Sequence, residues 1–255
     1  MLLTIDVGNT QTVMGLFEGD RLTHHWRLST QRHRSADEYR LLFSGLLDVD
    51  GVALSEVVGA SIASVVPAAT AALRRLAEHM IDGTTVVVGP GTKTGIPILI
   101  DNPREVGADR VANAVAVGTK YGSPGIVVDF GTATNFDVVS PAGEYLGGVI
   151  APGLEVSHDA LVGATAALRR VELTPPRTVV GKGTVEAIQA GLLFGHAGMV
   201  DGICQRLTEE FSESPIIVAT GGLASTIVPH CRLVETIDEF LTLDGLRFIY
   251  ELNTE

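Results

Sequence analysis

The chain opens MLLTIDVGNT, Met1 to Thr10, an apolar run that passes directly into Asp6, Val7, Gly8, Asn9 and Thr10. Asp, Gly and Asn are turn residues, so the plainer reading is a buried strand coming to its end. The chemical reading is that glycine admits a phosphate close to the backbone while the acid holds a metal-bound water beside it. This segment by itself leaves both readings open.

A second stretch decides between them. GIVVDFGTAT, Gly125 to Thr134, again runs an apolar strand into Asp129, Phe130, Gly131 and Thr132. A shift of 123 positions places Asp6 on Asp129 and Gly8 on Gly131, and the turn Glu18–Asp20 on Pro141–Gly143. A later strand, PIIVAT, ends in Gly221-Gly222 and occupies the place that ASIASVVP holds in the first half. A turn-only explanation predicts one acidic strand end, not two at matching places of a duplicated unit. Two such units can face each other across a nucleotide cleft, with an Asp-x-Gly hairpin from each side around a polyphosphate. The Gly221-Gly222 turn would then give a base and ribose room against the backbone.

The elements around these stretches agree with an α/β chain. MLLTI, TVMGLF and LTHHWRL predict a three-stranded meander. Apolar residues recur at helical spacing from Ala36 to Leu47, VVGASIASVV reads as a strand, and Pro67 opens a helix over AATAALRRLAEHM. The expected division is 1–120 and 121–255, two domains of the same kind.

Composition narrows the function classes. The formal net charge of -12 disfavours a nucleic-acid partner, because phosphate backbones need a basic surface. Small phosphorylated ligands stay possible, since backbone N–H groups and metal ions can hold them. The uncharged run Val57 to Leu73 holds a proline and small polar residues and reads as strand, turn and helix start, so no membrane partner is expected. Asp6 interrupts any export signal, and Cys204 and Cys231 have no close pairing, so a reduced, cytoplasmic protein is expected.

The paired Asp-x-Gly hairpins with a later Gly-Gly turn resemble the acetate and sugar kinase, heat-shock chaperone and actin superfamily. Within it the chain is similar to the type III pantothenate kinases over DVGNT, DNPREVGADR, DFGTA, GEYLGGVIAPG, GKGTVEAIQAG, ATGGLA and LTLDGL, stretches spread over nearly the whole chain. The resemblance implies two ribonuclease-H-like (actin-like ATPase) domains, ATP as donor, pantothenate as acceptor and 4′-phosphopantothenate as product, the first step toward coenzyme A. It also implies a homodimer with the acceptor pocket near the subunit contact, for which the small-residue segment 151–170 could supply packing surface.

Carried over residue by residue, the resemblance makes Asp6, Val7, Gly8, Asn9, Thr10, Gln11, Thr12 and Val13 an ATP phosphate-binding stretch. Asp6 would organise hydrated Mg²⁺, which tolerates one carboxylate plus waters and phosphate oxygens. Thr132 would meet phosphate from the second hairpin, and Gly221-Gly222 would approach the adenosine. Asp129 would hold a monovalent cation, K⁺ or NH₄⁺, beside the phosphates.

VGADR is the sharpest local segment. Asp109 precedes Arg110 at the start of the helix VANAVAVG, and by itself it reads equally as a helix cap with a neighbouring counter-charge. The family assigns the matching Asp as the general base. An exposed carboxylate is a weak base, but the proton can leave late in a loose transition state, so positioning matters more than basicity. Gly107, Ala108, Asp109 and Arg110 would contact pantothenate, with Arg110 a partner for its carboxylate, and Thr184 matches a family position on the acceptor.

Other polar residues carry plainer readings. GKGT is not a phosphate loop of the Walker type, because Pro176 stands where that pattern needs its first glycine, and Lys182 reads as a solvated loop lysine. Relatives often carry Asn where Gly183 stands and an aromatic residue where Ile100 stands. His24, His25 and Trp26 read as strand residues. His158 with Asp159 lacks a second ligand pair, and His196 sits among glycines, so neither supports zinc. Arg169 and Arg170 read as helix-end decoration.

Overall fold

The structure is a computed structural model that describes residues 1–254. The chain divides into two compact units, Met1–Lys120 together with the residues from Leu241 onward, and Tyr121–Phe240.

The first unit begins with β1 (Leu2–Val7), β2 (Gln11–Glu18) and β3 (Arg21–Ser29), the expected antiparallel meander. It continues through α1 (Ala36–Asp50), β4 (Gly59–Ser64), α2 (Pro67–Met80), β5 (Thr84–Val87) and α3 (Ala108–Lys120). The sheet order is β3-β2-β1-β4-β5, with β4 parallel to β1 and β5 parallel to β4. β4, GASIAS, is buried along all but its last residue, as a strand covered on both faces requires. The start of α1 is set by a capping box: the Glu38 N–H donates to Ser35 Oγ at 3.3 Å and the Ser35 N–H to Glu38 Oε2 at 2.7 Å. Pro67 stands at the first position of α2, where its missing N–H costs nothing. Tyr39, Phe43 and Leu47 of α1 and Leu73 and Leu76 of α2 share one core with Leu3, Ile5 and Ile62 of the sheet.

The second unit repeats the plan. β6 (Gly125–Phe130), β7 (Ala133–Val139) and β8 (Tyr145–Pro152) form the meander, followed by α4 (Leu154–Gly163), α5 (Thr184–Thr208), β9 (Ile216–Thr220), α6 (Ala224–Ile227) and β10 (Thr236–Ile237). The order β8-β7-β6-β9-β10 matches the first sheet strand for strand, with β9 parallel to β6 and β10 to β9. Each unit is thus ribonuclease-H-like, and the chain is a duplicated α/β protein.

Two details differ from the sequence expectation. The last helix, α7 (Leu241–Thr254), belongs to the first unit rather than to a domain spanning 121–255. It docks on α3, where Thr242 Oγ1 donates to Asn113 Oδ1 at 2.7 Å and Asp244 pairs with Lys120. The Arg247 guanidinium also lies 5.5 Å from the ring centroid of Phe17 on β2. The repeat also does not keep one shift. Val7 pairs with Thr12 and Phe130 with Thr134, so the first hairpin loop holds residues 8–11 and the second only 131–133.

α5 is long and apolar enough to cross a membrane by composition, and half of its most apolar stretch is buried. Ile188, Leu192, Leu193, Ala197, Val200 and Cys204 place it in the core of the second unit.

Candidate active site

The first hairpin sorts the residues from Asp6 to Val13 by where their side chains go. Asp6 is the penultimate residue of β1, paired with Val13 on β2 and Ala63 on β4. The Gly8 N–H donates to the Gln11 carbonyl at 2.9 Å and closes the tip. Asn9, Thr10 and Gln11 are exposed, Asp6, Gly8 and Val13 half-buried, and Val7 and Thr12 fully buried. Only the tip residues offer exposed side chains. Val7 and Thr12 point into the unit, and the Thr12 and Thr30 hydroxyls hydrogen-bond at 2.9 Å. The Thr30 N–H also donates to the Thr10 carbonyl at 2.9 Å.

Asp109 is the second residue of α3. Its Oδ1 accepts the Arg110 N–H at 2.9 Å, and the Val111 N–H donates to the Gly107 carbonyl at 3.1 Å. Gly107 is the reason the carboxylate fits. A Cβ there would lie 2.3 Å from Asp109 Oδ1 and 3.6 Å from Val65 Cγ1. Val65 in turn donates its N–H to the Val7 carbonyl at 3.1 Å, so Asp109 stands at the edge of the sheet where β1 and β4 end. Asp6 stands at the same edge.

Asp109 is not the exposed, weakly basic carboxylate that its local sequence suggests. The residue is half-buried, and loss of solvent pushes its carboxyl above the ordinary carboxylate range against the opposing pull of the Arg110 N–H and charge. Ala108 and Arg110 are half-buried beside it.

On the second hairpin, Asp129 pairs with Asn135 and Thr220. The Gly131 N–H donates to the Ala133 carbonyl at 3.0 Å, leaving Thr132 exposed at the tip. The Gly153 N–H reaches the Thr132 carbonyl at 3.2 Å. Gly221 has φ +90, and a Cβ on it would lie 2.5 Å from Asp129 Oδ1 and 2.7 Å from the Phe130 backbone. Any side chain at Gly221 would therefore collide with Asp129 and Phe130. Gly222 is exposed. Leu223 and Thr226, just beyond it, line a cavity of about 270 Å³ with Glu155, His158 and Arg170.

Thr184 is exposed at the first position of α5, with Gly183 as its cap. The preceding loop is tied at two points to Glu186, which accepts from Arg177 Nε at 2.7 Å and from the Lys182 N–H at 3.4 Å. The Arg177 hydrogen bond holds the Glu186 carboxyl below its usual range.

His24 and His158 have packing roles. His24 stacks on Trp26 at 6.1 Å between centroids, and Trp26 Nε1 donates to Asp50 at 2.7 Å. His158 accepts the Val171 N–H at 3.1 Å. Burial pushes both cysteine thiols up to about 12. Among the described residues no three His, Cys, Asp or Glu side chains group to hold a metal. A single carboxylate can still serve a cation that keeps water, phosphate or backbone oxygens as its other ligands.

Thr30 braces the first hairpin, and Thr134, Gly153 and His196 brace the second, roles that no local sequence signal marks. Thr134 becomes visible as the counterpart of Thr12 only when the second loop is allowed one residue fewer.

The matching family model is described as type III pantothenate kinase and spans residues 2–206. A type III pantothenate kinase of Acidothermus cellulolyticus is 52% identical, with 99% of each chain covered. Among solved structures, component A of (R)-2-hydroxyglutaryl-CoA dehydratase from Acidaminococcus fermentans aligns with TM-score 0.57 at 13% identity, covering 100% of this chain and 99% of that one. A ROK hexokinase from Thermus thermophilus aligns with TM-score 0.54 at 14% identity, covering 98% and 99%. These two likenesses speak for the fold alone.

Proposed function

This chain belongs to the type III pantothenate kinase family, and from that premise we propose how its residues divide the work of phosphoryl transfer. The reaction moves the γ-phosphate of ATP to the 4′-hydroxyl of pantothenate, the first step of coenzyme A biosynthesis. The observation that carries this is the 52% identity over an alignment that covers 99% of each chain. Formation of 4′-phosphopantothenate from ATP and pantothenate tests it, against acetate, glycerol and hexoses as acceptors. A nucleotide-binding regulator without turnover would leave every acceptor unphosphorylated.

Asp109 is proposed as the general base. The pantothenate oxygen attacks the γ-phosphorus, the bond from that phosphorus to the bridging oxygen of ADP breaks, and the hydroxyl proton passes to the Asp109 carboxylate. The raised pKa of Asp109 supports the role, since a carboxylate that resists ionisation holds a proton better. Gly107, Ala108, Arg110 and Thr184 are proposed to hold the acceptor, Arg110 through the pantothenate carboxylate.

For the donor, the exposed tips carry the proposal. Asn9 and Thr10 of the first unit and Thr132 of the second would hydrogen-bond phosphate oxygens, and Gly222 would approach the adenosine. Asp6, half-buried at a strand end, suits a hydrated Mg²⁺, and Asp129 suits K⁺ or NH₄⁺. When bound, such cations neutralise charge on the phosphates. The protein's own part is to hold each carboxylate rigidly in a sheet ladder. A cytoplasmic homodimer completes the proposal.

A further inference from the structure

Thr12 and Thr134 occupy the same place in the two units. Thr12 pairs with Val7, the residue after Asp6, and Thr134 pairs with Phe130, the residue after Asp129. Each is the first ladder residue beyond a hairpin tip. Both are out of solvent, at 0% and 1% exposure, and each hydroxyl makes a 2.9 Å hydrogen bond. The partners come from unrelated parts of the fold. Thr12 meets Thr30, which follows β3, and Thr134 meets His196 Nε2 in the middle of α5.

Strand formation does not ask for a hydroxyl here, because valine has the same shape and an equal preference for strands. A buried hydroxyl instead demands a partner, and a satisfied one fixes both groups. Duplication accounts for the two threonines but not for their partners, which differ in type and in origin. Thr30 makes a second contact at the tip, where its N–H holds the Thr10 carbonyl.

We infer that Thr30 and His196 are positioning residues that hold the two hairpin tips in their phosphate-binding shape, Thr30 acting through Thr12 and Thr10 and His196 through Thr134. The inference rests on the kinase reading above, which assigns those tips to ATP. Neither residue touches the nucleotide in this account. Each removes freedom from a short loop, so that the loop amides and hydroxyls need not be ordered when phosphate arrives.

The test is titration calorimetry of Mg·ATP without acceptor, with KM for ATP, kcat and Tm measured on the same full-length variants. Thr30→Val removes one hydroxyl and keeps the shape, whereas Thr30→Ser keeps the hydroxyl. Loss of one such bond is expected to raise Kd and KM for ATP roughly five- to tenfold, with KM for pantothenate unchanged and Thr30→Ser within about twofold of wild type. Thr134→Val should do the same for the second hairpin, as should His196→Leu, with His196→Gln recovering affinity through its own terminal amide. Because His196→Leu removes a core side chain, Thr134→Val carries that arm should the leucine variant fail to fold. ATP affinity unchanged in Thr30→Val and Thr134→Val, or a lowered Tm with affinity intact, would assign these bonds to packing and overturn the inference alone. Wild-type protein that binds no ATP would overturn the kinase reading and this inference with it.

Discussion

Gly221 lies against Asp129 so closely that a Cβ on Gly221 would come within 2.5 Å of Asp129 Oδ1. The same carbon would sit 2.7 Å from the Phe130 backbone, and the φ of +90 is one that side chains resist. The turn after β9 therefore packs onto the end of β6, where it backs the second hairpin.

Gly221→Ala is expected to cost about 1–3 kcal/mol from backbone strain alone, with the clash added to it. Urea unfolding should show a lower midpoint, and nucleotide affinity should fall because Asp129 must move. An unchanged midpoint would show that the turn relaxes freely.

Asp109→Asn should lower kcat by roughly 10²–10⁴-fold, because the proposed proton acceptor is lost while the shape and the bond from the Arg110 N–H persist. The stability effect has the opposite sign. A carboxyl whose folded pKa is raised destabilises the fold as pH rises from its unfolded pKa through the folded one. The variant should therefore melt at or above the wild-type temperature at neutral pH, and the difference should vanish on acidification. In the wild type, the acid limb of kcat/KM should lie above the ordinary carboxylate range, and it should be absent from the residual activity of the variant. Full turnover in a folded Asp109→Asn protein would remove Asp109 from the mechanism.

Asp6→Asn keeps the size of the side chain and removes the charge proposed to face a hydrated Mg²⁺. The expected result is a higher Mg²⁺ requirement and a higher KM for ATP, with little change in KM for pantothenate. A magnesium titration that overlays wild type would leave Asp6 a strand-end residue.

Asp129 poses the matching question for a monovalent ion. A single carboxylate with backbone carbonyls suits a large, weakly hydrated cation, so activity should need K⁺ or NH₄⁺ and be poorly supported by Na⁺. Asp129→Ala should abolish that response. Equal rates in sodium-only and potassium-only buffer would leave Asp129 as a second carboxylate facing metal-bound water.

The repeat could be read from the sequence because its signals are local. A strand running into Asp-x-Gly, a hairpin turn and a later Gly-Gly pair each depend on residues a few positions apart. Asp109 was legible for the same reason, as a carboxylate between small residues and an arginine at a helix start. Tertiary structure decided what depends on distant neighbours. The apolar face of α7 is present in its sequence, but only packing chooses α3 and β2, more than 100 residues earlier, as its partners. Asp109 becomes a stronger base through burial, which its flanking residues do not encode. Gly221 reads as a turn glycine, and only the fold shows that Asp129 and Phe130 stand where its side chain would go. Thr12 and Thr134 read as ordinary strand residues until Thr30 and His196 arrive from other elements to bind their hydroxyls. In each case the chain supplied a group with an unmet physical need, and the fold selected what meets it.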